Sequence, residues 1–178
     1  MSTLAIWLTL SAVVGPPHCI VGNSYDALAA VRESPTPLGM VLGAGSDWGR
    51  KYLVVRTTHY LATPGTATRA GTETVTYYAT ARGRTCSQEL RPSACPLLDP
   101  AVSAYRGRSY VVMFNPSQLR DRSISHPPFA LLHAQDADGN VIKINASWPG
   151  HPLMRDASET FESIGSCTKD VDEAVGGL

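Results

Sequence analysis

Cys19, Cys86, Cys95 and Cys167 are the residues of this chain with the most chemistry to offer. No two of them form a Cys-x-x-Cys pair, and the nearest, Cys86 and Cys95, have eight residues between them. A structural zinc site needs close pairs of Cys or His so that two ligands fall on one turn, so two disulfides are the expected use of the four. Spacing by itself leaves all three pairings open. A catalytic thiolate at Cys86 or Cys95 would leave an odd cysteine behind, and none is expected.

The other chemical candidates fail on spacing. The glycine-rich stretch 43–49 (GAGSDWG) could expose Ser46 or cradle a phosphate. A nucleophile elbow, however, needs glycine two residues either side of the serine, where Ala44 and Trp48 stand, and the dinucleotide fingerprint needs its third glycine one residue earlier. The stretch is read as a plain loop. Asp136, Asp138 and Asn140 alternate as the first ligands of a calcium loop do, but Gly139 comes too early and Ser147 stands where the bidentate glutamate belongs. His18, His59, His126, His133 and His151 show no ligand spacing, and the carboxylates are scattered rather than paired. The expectation is a protein with no catalytic residues, no metal and no cofactor, hence not an enzyme.

Composition points to the class of molecule. Fifteen Lys+Arg balance fifteen Asp+Glu, which removes the general electrostatic grip that nucleic acid or an anionic membrane surface would reward. Charged residues make up 17%, while 15 Gly and 13 Pro suit short elements joined by many turns. The apolar run 4–14 (LAIWLTLSAVV) has the length of a signal-peptide core and is too short to span a bilayer, so residues 1–15 are read as a signal peptide. Asn145-Ala146-Ser147 is an N-glycosylation acceptor. Together with the even cysteine count, these features predict a secreted, extracellular protein without a membrane span.

Strand signals dominate the middle of the chain. Residues 51–63 (KYLVVRTTHYLAT) place Tyr52, Val54 and Arg56 opposite Leu53, Val55 and Thr57. After a turn over 64–71, residues 72–81 continue as an antiparallel partner; further strands are predicted over 109–114, 129–135 and 140–146, the last two joined by an Asp-Gly hairpin turn. Residues 24–32 fit helix or buried strand equally. Leu153, Ala157, Phe161 and Ile164 recur at helical intervals before Gly165, and 169–178 reads as a polar, flexible tail. Five or six strands with one late helix predict a mainly β, disulfide-stapled small barrel, since closure removes exposed strand edges.

The stretches 50–60 (RKYLVVRTTHY), 74–86 (TVTYYATARGRTC), 108–114 (RSYVVMF), 138–148 (DGNVIKINASW) and 164–167 (IGSC) resemble the netrin-like domain, in particular the inhibitory domain of the tissue inhibitors of metalloproteinases. The resemblance implies a single domain over 16–168, built as a five-stranded OB-type closed barrel with a C-terminal helix. It also implies that Cys19, Ile20 and Val21 form an N-terminal binding ridge: the Cys19 amine and carbonyl would chelate a protease's zinc, Ile20 would enter the specificity pocket, and Cys86 would pair with Cys19. That leaves Cys95 for Cys167. The implied partner is an extracellular protein, a zinc metalloproteinase in its sharpest version. Residues 83–86 (GRTC), 95–99 (CPLLD) and 110–116 (YVVMFNP) are similar to the carboxyl half of a cystatin, which would imply inhibition of cysteine proteases. A matrix-binding module that inhibits nothing is the third reading.

Overall fold

The computed structural model describes residues 15–22, 25–32, 39–46, 48–57, 73–106, 128–135, 140–147 and 150–176. The first fourteen residues, the turn 64–71, the strand expected over 109–114 and the Asp-Gly turn lie outside them. The described elements run β1 (His18–Val21), α1 (Ala27–Arg32), β2 (Met40–Ser46), β3 (Gly49–Thr57), β4 (Glu73–Ala81), β5 (Arg84–Leu90), α2 (Leu98–Arg106), β6 (Phe129–Gln135), β7 (Val141–Ala146), α3 (Pro152–Ser163) and α4 (Gly165–Val175).

The strands make one antiparallel sheet in the order β1-β5-β4-β3-β2-β6-β7. This corrects the expected five-stranded closed barrel: among the described residues the sheet has seven strands, and its outermost strands β1 and β7 do not pair with each other. Closure is one way to deal with a sheet's faces and edges, and covering a face with helices is another. Here α3 and α4 pack on one face and α1 on the other. The strands expected over 51–63, 72–81, 129–135 and 140–146 are present as β3, β4, β6 and β7 as far as the described residues go, 58–63 and 72 lying outside them, with β3 paired to β4 and β6 to β7. The glycine-rich stretch, expected as a loop, is instead the end of β2, a tight reversal, and the start of β3, with Ser46 opposite Gly49.

Period-two alternation gives the sheet two faces. On the first, Leu42, Leu53 and Tyr77 line up across β2, β3 and β4, each fully buried, with Leu132 beyond them on β6. On the second, Val41, Val54 and Tyr52 are buried as well, so the centre of the sheet is dry on both sides. The first face carries the main core, because Leu153, Ala157, Phe161 and Ile164 of the predicted helix stripe pack onto it. His151 caps α3, its Nδ1 accepting the Leu153 N–H at 3.1 Å, and Pro152 opens the helix without loss because its missing N–H is not needed there.

Gly165 does not end the helical region. The chain turns at Ile164 and continues as α4 to Val175, so the expected flexible tail from 169 is mostly helix, with Val171 and Val175 buried against the sheet. A single carboxylate fastens it: Asp172 accepts from the Tyr77 hydroxyl at 2.6 Å and from the Lys51 ammonium at 2.8 Å. The disulfide Cys95–Cys167 ties the start of α4 to the segment leading into α2. It is one of two, the other joining Cys19 to Cys86, and both are the pairs that the netrin-like resemblance implied.

Asp172→Ala should cost about 2 kcal/mol in urea unfolding, because it strips a partner from a hydroxyl buried in the core as well as from Lys51. Opening Cys95–Cys167 with the double Cys→Ser variant should cost about 2–4 kcal/mol, since it releases a loop of 72 residues in the unfolded chain.

Candidate functional site

Two surfaces of this sheet could meet a ligand. The first is the edge strand β1, which carries the predicted ridge Cys19, Ile20 and Val21. All four of its residues are exposed, with Ile20 at 49% and Val21 at 93%. It is nonetheless held firmly. Cys19 sits opposite Cys86 with 4.1 Å between their Cα atoms and is bonded to it through sulfur. The Gly22 N–H donates to the Gly83 carbonyl at 2.7 Å, the Thr85 hydroxyl donates to the Gly22 carbonyl at 2.6 Å, and the Gln88 amide donates to the Gly15 carbonyl at 2.8 Å.

The register decides which backbone groups of β1 face outward. In an antiparallel pair, hydrogen-bonded residue pairs alternate with close, non-bonded ones. Gly22 bonds to Gly83, so Ile20 and His18 also point their N–H and C=O at β5, and the close approach of Cys19 to Cys86 fits a non-bonded pair. The N–H and C=O groups of Cys19 and Val21 therefore point to the open side of the sheet. Zinc chelation of the kind the resemblance implied would need the free amine that cleavage directly before Cys19 exposes.

The second surface is a recess of about 390 Å³ on the sheet's other face, lined by Arg50, Tyr52, Phe129, Leu131, His133, Lys143 and Asn145, with Ala146 and Ser147 at its end. Helix α1 is too short to cover this face beyond β2, β3 and β6. Gly43 makes the surface possible. A Cβ there would lie 2.8 Å from the Tyr52 ring and 2.9 Å from Leu131, so those two side chains close over a backbone that carries nothing. Gly45 has a φ of 147°, and a Cβ on it would run into the Gly49 carbonyl. The reversal into β3 is thus built on glycine for both shape and conformation.

Among the residues lining it the charged ones are basic. Arg50 lies over the Phe129 ring, 5.7 Å from its centroid, and Lys143 stands directly across from His133 in the β6–β7 register. His133 is 3% exposed, and both of its ring nitrogens are shielded from solvent, with the Asn145 side chain beside them. Burial first, and then the Lys143 charge, hold its pKa below the usual histidine value; the Asn145 amide and Asp26 carboxylate oppose that shift without reversing it. Beside the recess Tyr25 stacks between Tyr52 and Tyr78 at 4.8 and 4.4 Å, and burial raises its hydroxyl pKa, with the neighbouring Tyr78 adding to it.

The predicted site residues are thus divided. Cys19, Ile20 and Val21 are together on β1, while Asn145, expected from its sequence motif as a glycosylation acceptor, is exposed on β7 at the rim of the recess. Sequence reasoning passed over Arg50, Tyr52, Lys143 and His133, and nothing in their spacing could have joined them. Among the described residues no group of three or more His, Cys, Asp or Glu could hold a metal ion, and no helix is long and apolar enough to cross a membrane. No protein-family model, curated protein or solved structure matches this chain. The netrin-like resemblance therefore rests on the residues quoted for it alone, and the open sheet departs from the barrel it implied.

Gly43→Ala should force Tyr52 and Leu131 aside and cost about 1–3 kcal/mol, measured as a lower urea midpoint. Because His133 is held neutral in the folded chain, its contribution to stability is fully present above the unfolded histidine pKa of about 6.5 and is lost as pH falls through its lower folded value. An NMR titration should place the His133 ring midpoint below the usual histidine value of about 6.5; a midpoint at or above it would contradict the assignment.

Proposed function

We propose that this chain is a secreted, extracellular protein-binding domain that takes an extended segment of its partner onto the open edge of β1. The observation that carries the reading is an edge strand that is fully exposed, apolar at Ile20 and Val21, and immobilised by the Cys19–Cys86 disulfide. Exposed edges ordinarily carry charges that keep other strands away, as Lys143 does on the opposite edge β7; the sequence of β1, His-Cys-Ile-Val, carries no lysine, arginine or acid. Main-chain bonding along such an edge gives affinity, and alternate side chains give selectivity. A strand already fixed in its bound shape loses little ordering entropy when a partner arrives.

Extracellular placement is supported by the two disulfides, by the signal-like run at 4–14 and by the exposed acceptor Asn145. Mass loss on treatment of the secreted protein with peptide N-glycosidase would test the glycan.

The outward Val21 N–H supplies a selective probe. Val21→Pro removes a donor aimed at the open side and should leave the β1–β5 ladder intact, changing stability by less than about 1 kcal/mol. Ile20→Pro removes a ladder donor and should cost about 3 kcal/mol or more. Extended peptides selected from a displayed library against the disulfide-intact chain should lose about tenfold or more in affinity for the Val21→Pro variant. Selected peptides indifferent to that variant would overturn strand addition. N-terminal sequencing with Cys19 at the first cycle, together with stoichiometric inhibition of a zinc protease, would replace it by metal chelation, and inhibition of papain would point to the cystatin-like alternative.

A further inference from the structure

The outward side of β1 is short and bounded at both ends. Hydrogen-bonded and close pairs alternate along β1 and β5, so the outward N–H and C=O groups of the strand are those of Cys19 and Val21. Pro17, next in that alternation, has no N–H to give. Past Val21 the chain bends away, because Gly22 adopts a φ of 128°, outside the extended range. A new strand is therefore offered two donors, spaced two residues apart, with Ile20 between them.

β1 meets this requirement itself. Laid antiparallel on the β1 of another copy so that Ile20 faces its counterpart, it brings Cys19 opposite Val21 and Val21 opposite Cys19, and each of these pairs exchanges both of its main-chain bonds. Moving the axis to Cys19 sets Pro17 against Val21 and loses its N–H, while moving it to Val21 carries Cys19 past the bend at Gly22. The register centred on Ile20 leaves no outward donor of the strand unpaired. Side chains agree with it: Ile20, 49% exposed, meets its counterpart in a close non-bonded pair, and Val21, 93% exposed, lies against the disulfide of the facing Cys19. Charge does not oppose the approach, since β1 carries no charged side chain and the whole chain is formally neutral. The other edge, β7, has Lys143 in its middle, which discourages a strand there, so association stops at a two-fold pair instead of running on as a filament.

We propose that the extended segment taken onto β1 is the β1 of a second copy of this chain, giving a two-fold dimer whose two sheets run together as one; this rests on the strand-addition reading and names its partner. A four-residue strand on each side buries less than the roughly 1,200 Å² of a standard stable interface, so the dimer dissociates in the micromolar range or above and its population follows concentration.

Sedimentation equilibrium of the disulfide-intact chain from micromolar to millimolar concentration should show one monomer–dimer equilibrium and no larger species. Val21→Pro takes an outward donor from each copy, and Ile20→Lys sets two like charges face to face across the axis; each should weaken the dimer about tenfold or more while keeping the parent's circular dichroism. Ile142→Lys, at an equally exposed position on β7, should leave the equilibrium unchanged. In a mixture of isotope-labelled and unlabelled chains, NMR methyl contacts should join Ile20 of one copy to Ile20 of the other. A chain monomeric to millimolar concentration, a dimer indifferent to Val21→Pro or Ile20→Lys, or one weakened as much by Ile142→Lys would each overturn the proposal. The displayed peptides judge strand addition separately: Val21-dependent binding of peptides by a monomeric chain would sink the dimer and keep that reading.

Discussion

The packing of α3 and α4 across one face of the sheet is the constraint on which the rest of this structure depends. Leu42, Leu53 and Tyr77 from the strands meet Leu153, Ile164 and Val171 from the helices, all with essentially no exposure. Removing each such side chain from water contributes about 1.5–3 kcal/mol, so this layer dominates the favourable side of folding. Polar fastening is added where burial is greatest. Asp172 satisfies the Tyr77 hydroxyl in the core, and the buried Tyr105 and Thr160 hydroxyls bond to each other at 2.9 Å, joining α2 to α3. With one face covered in this way, the sheet has no need to close on itself.

An open sheet leaves three places where its surface is not fully used. Two are its edges. β1 is short, uncharged and anchored by sulfur, whereas β7 carries Lys143 in its middle. The third is the second face. Helix α1, capped by Asp26 through the Leu28 and Ala29 N–H groups, covers the centre over Val41 and Val54 and stops there. The positions of Gly43 and Gly45 then leave a hollow that two cations and a buried imidazole surround.

The disulfides belong to the same scheme. Cys95–Cys167 holds the helical layer to the segment before α2, and Cys19–Cys86 holds the outermost strand, which among the described residues has a partner on one side only. A four-residue edge strand has few hydrogen bonds to keep it in place, and a covalent link to β5 compensates for that. Its rigidity and its exposure therefore have one origin, and both follow from its position at the end of the strand order.

Local chemistry made part of this legible before any fold was known. Alternation made β3 and β4 legible because each buries one or both faces, the further runs 129–135 and 140–146 marked β6 and the largely exposed β7, and the four-four-three spacing of Leu153, Ala157, Phe161 and Ile164 marked α3 because that stripe needs a surface to lie on. The strand β2 was hidden by glycines that read as loop, since the close approach of Tyr52 and Leu131 to Gly43 exists only once three strands are side by side. Gly165 read as a terminator, but the buried Val171 and Val175 show that the second helix is held by contact with the sheet rather than by its own polar sequence. Whether the sheet would close depended on which face the helices cover and on the pairing of β2 with β6, distant in the chain; no local pattern encodes either. The ridge residues Cys19, Ile20 and Val21 are adjacent and could be named from the chain itself, whereas Arg50, His133 and Lys143 come together only through the order of the strands, because strand order is set by long-range burial and not by neighbours in sequence.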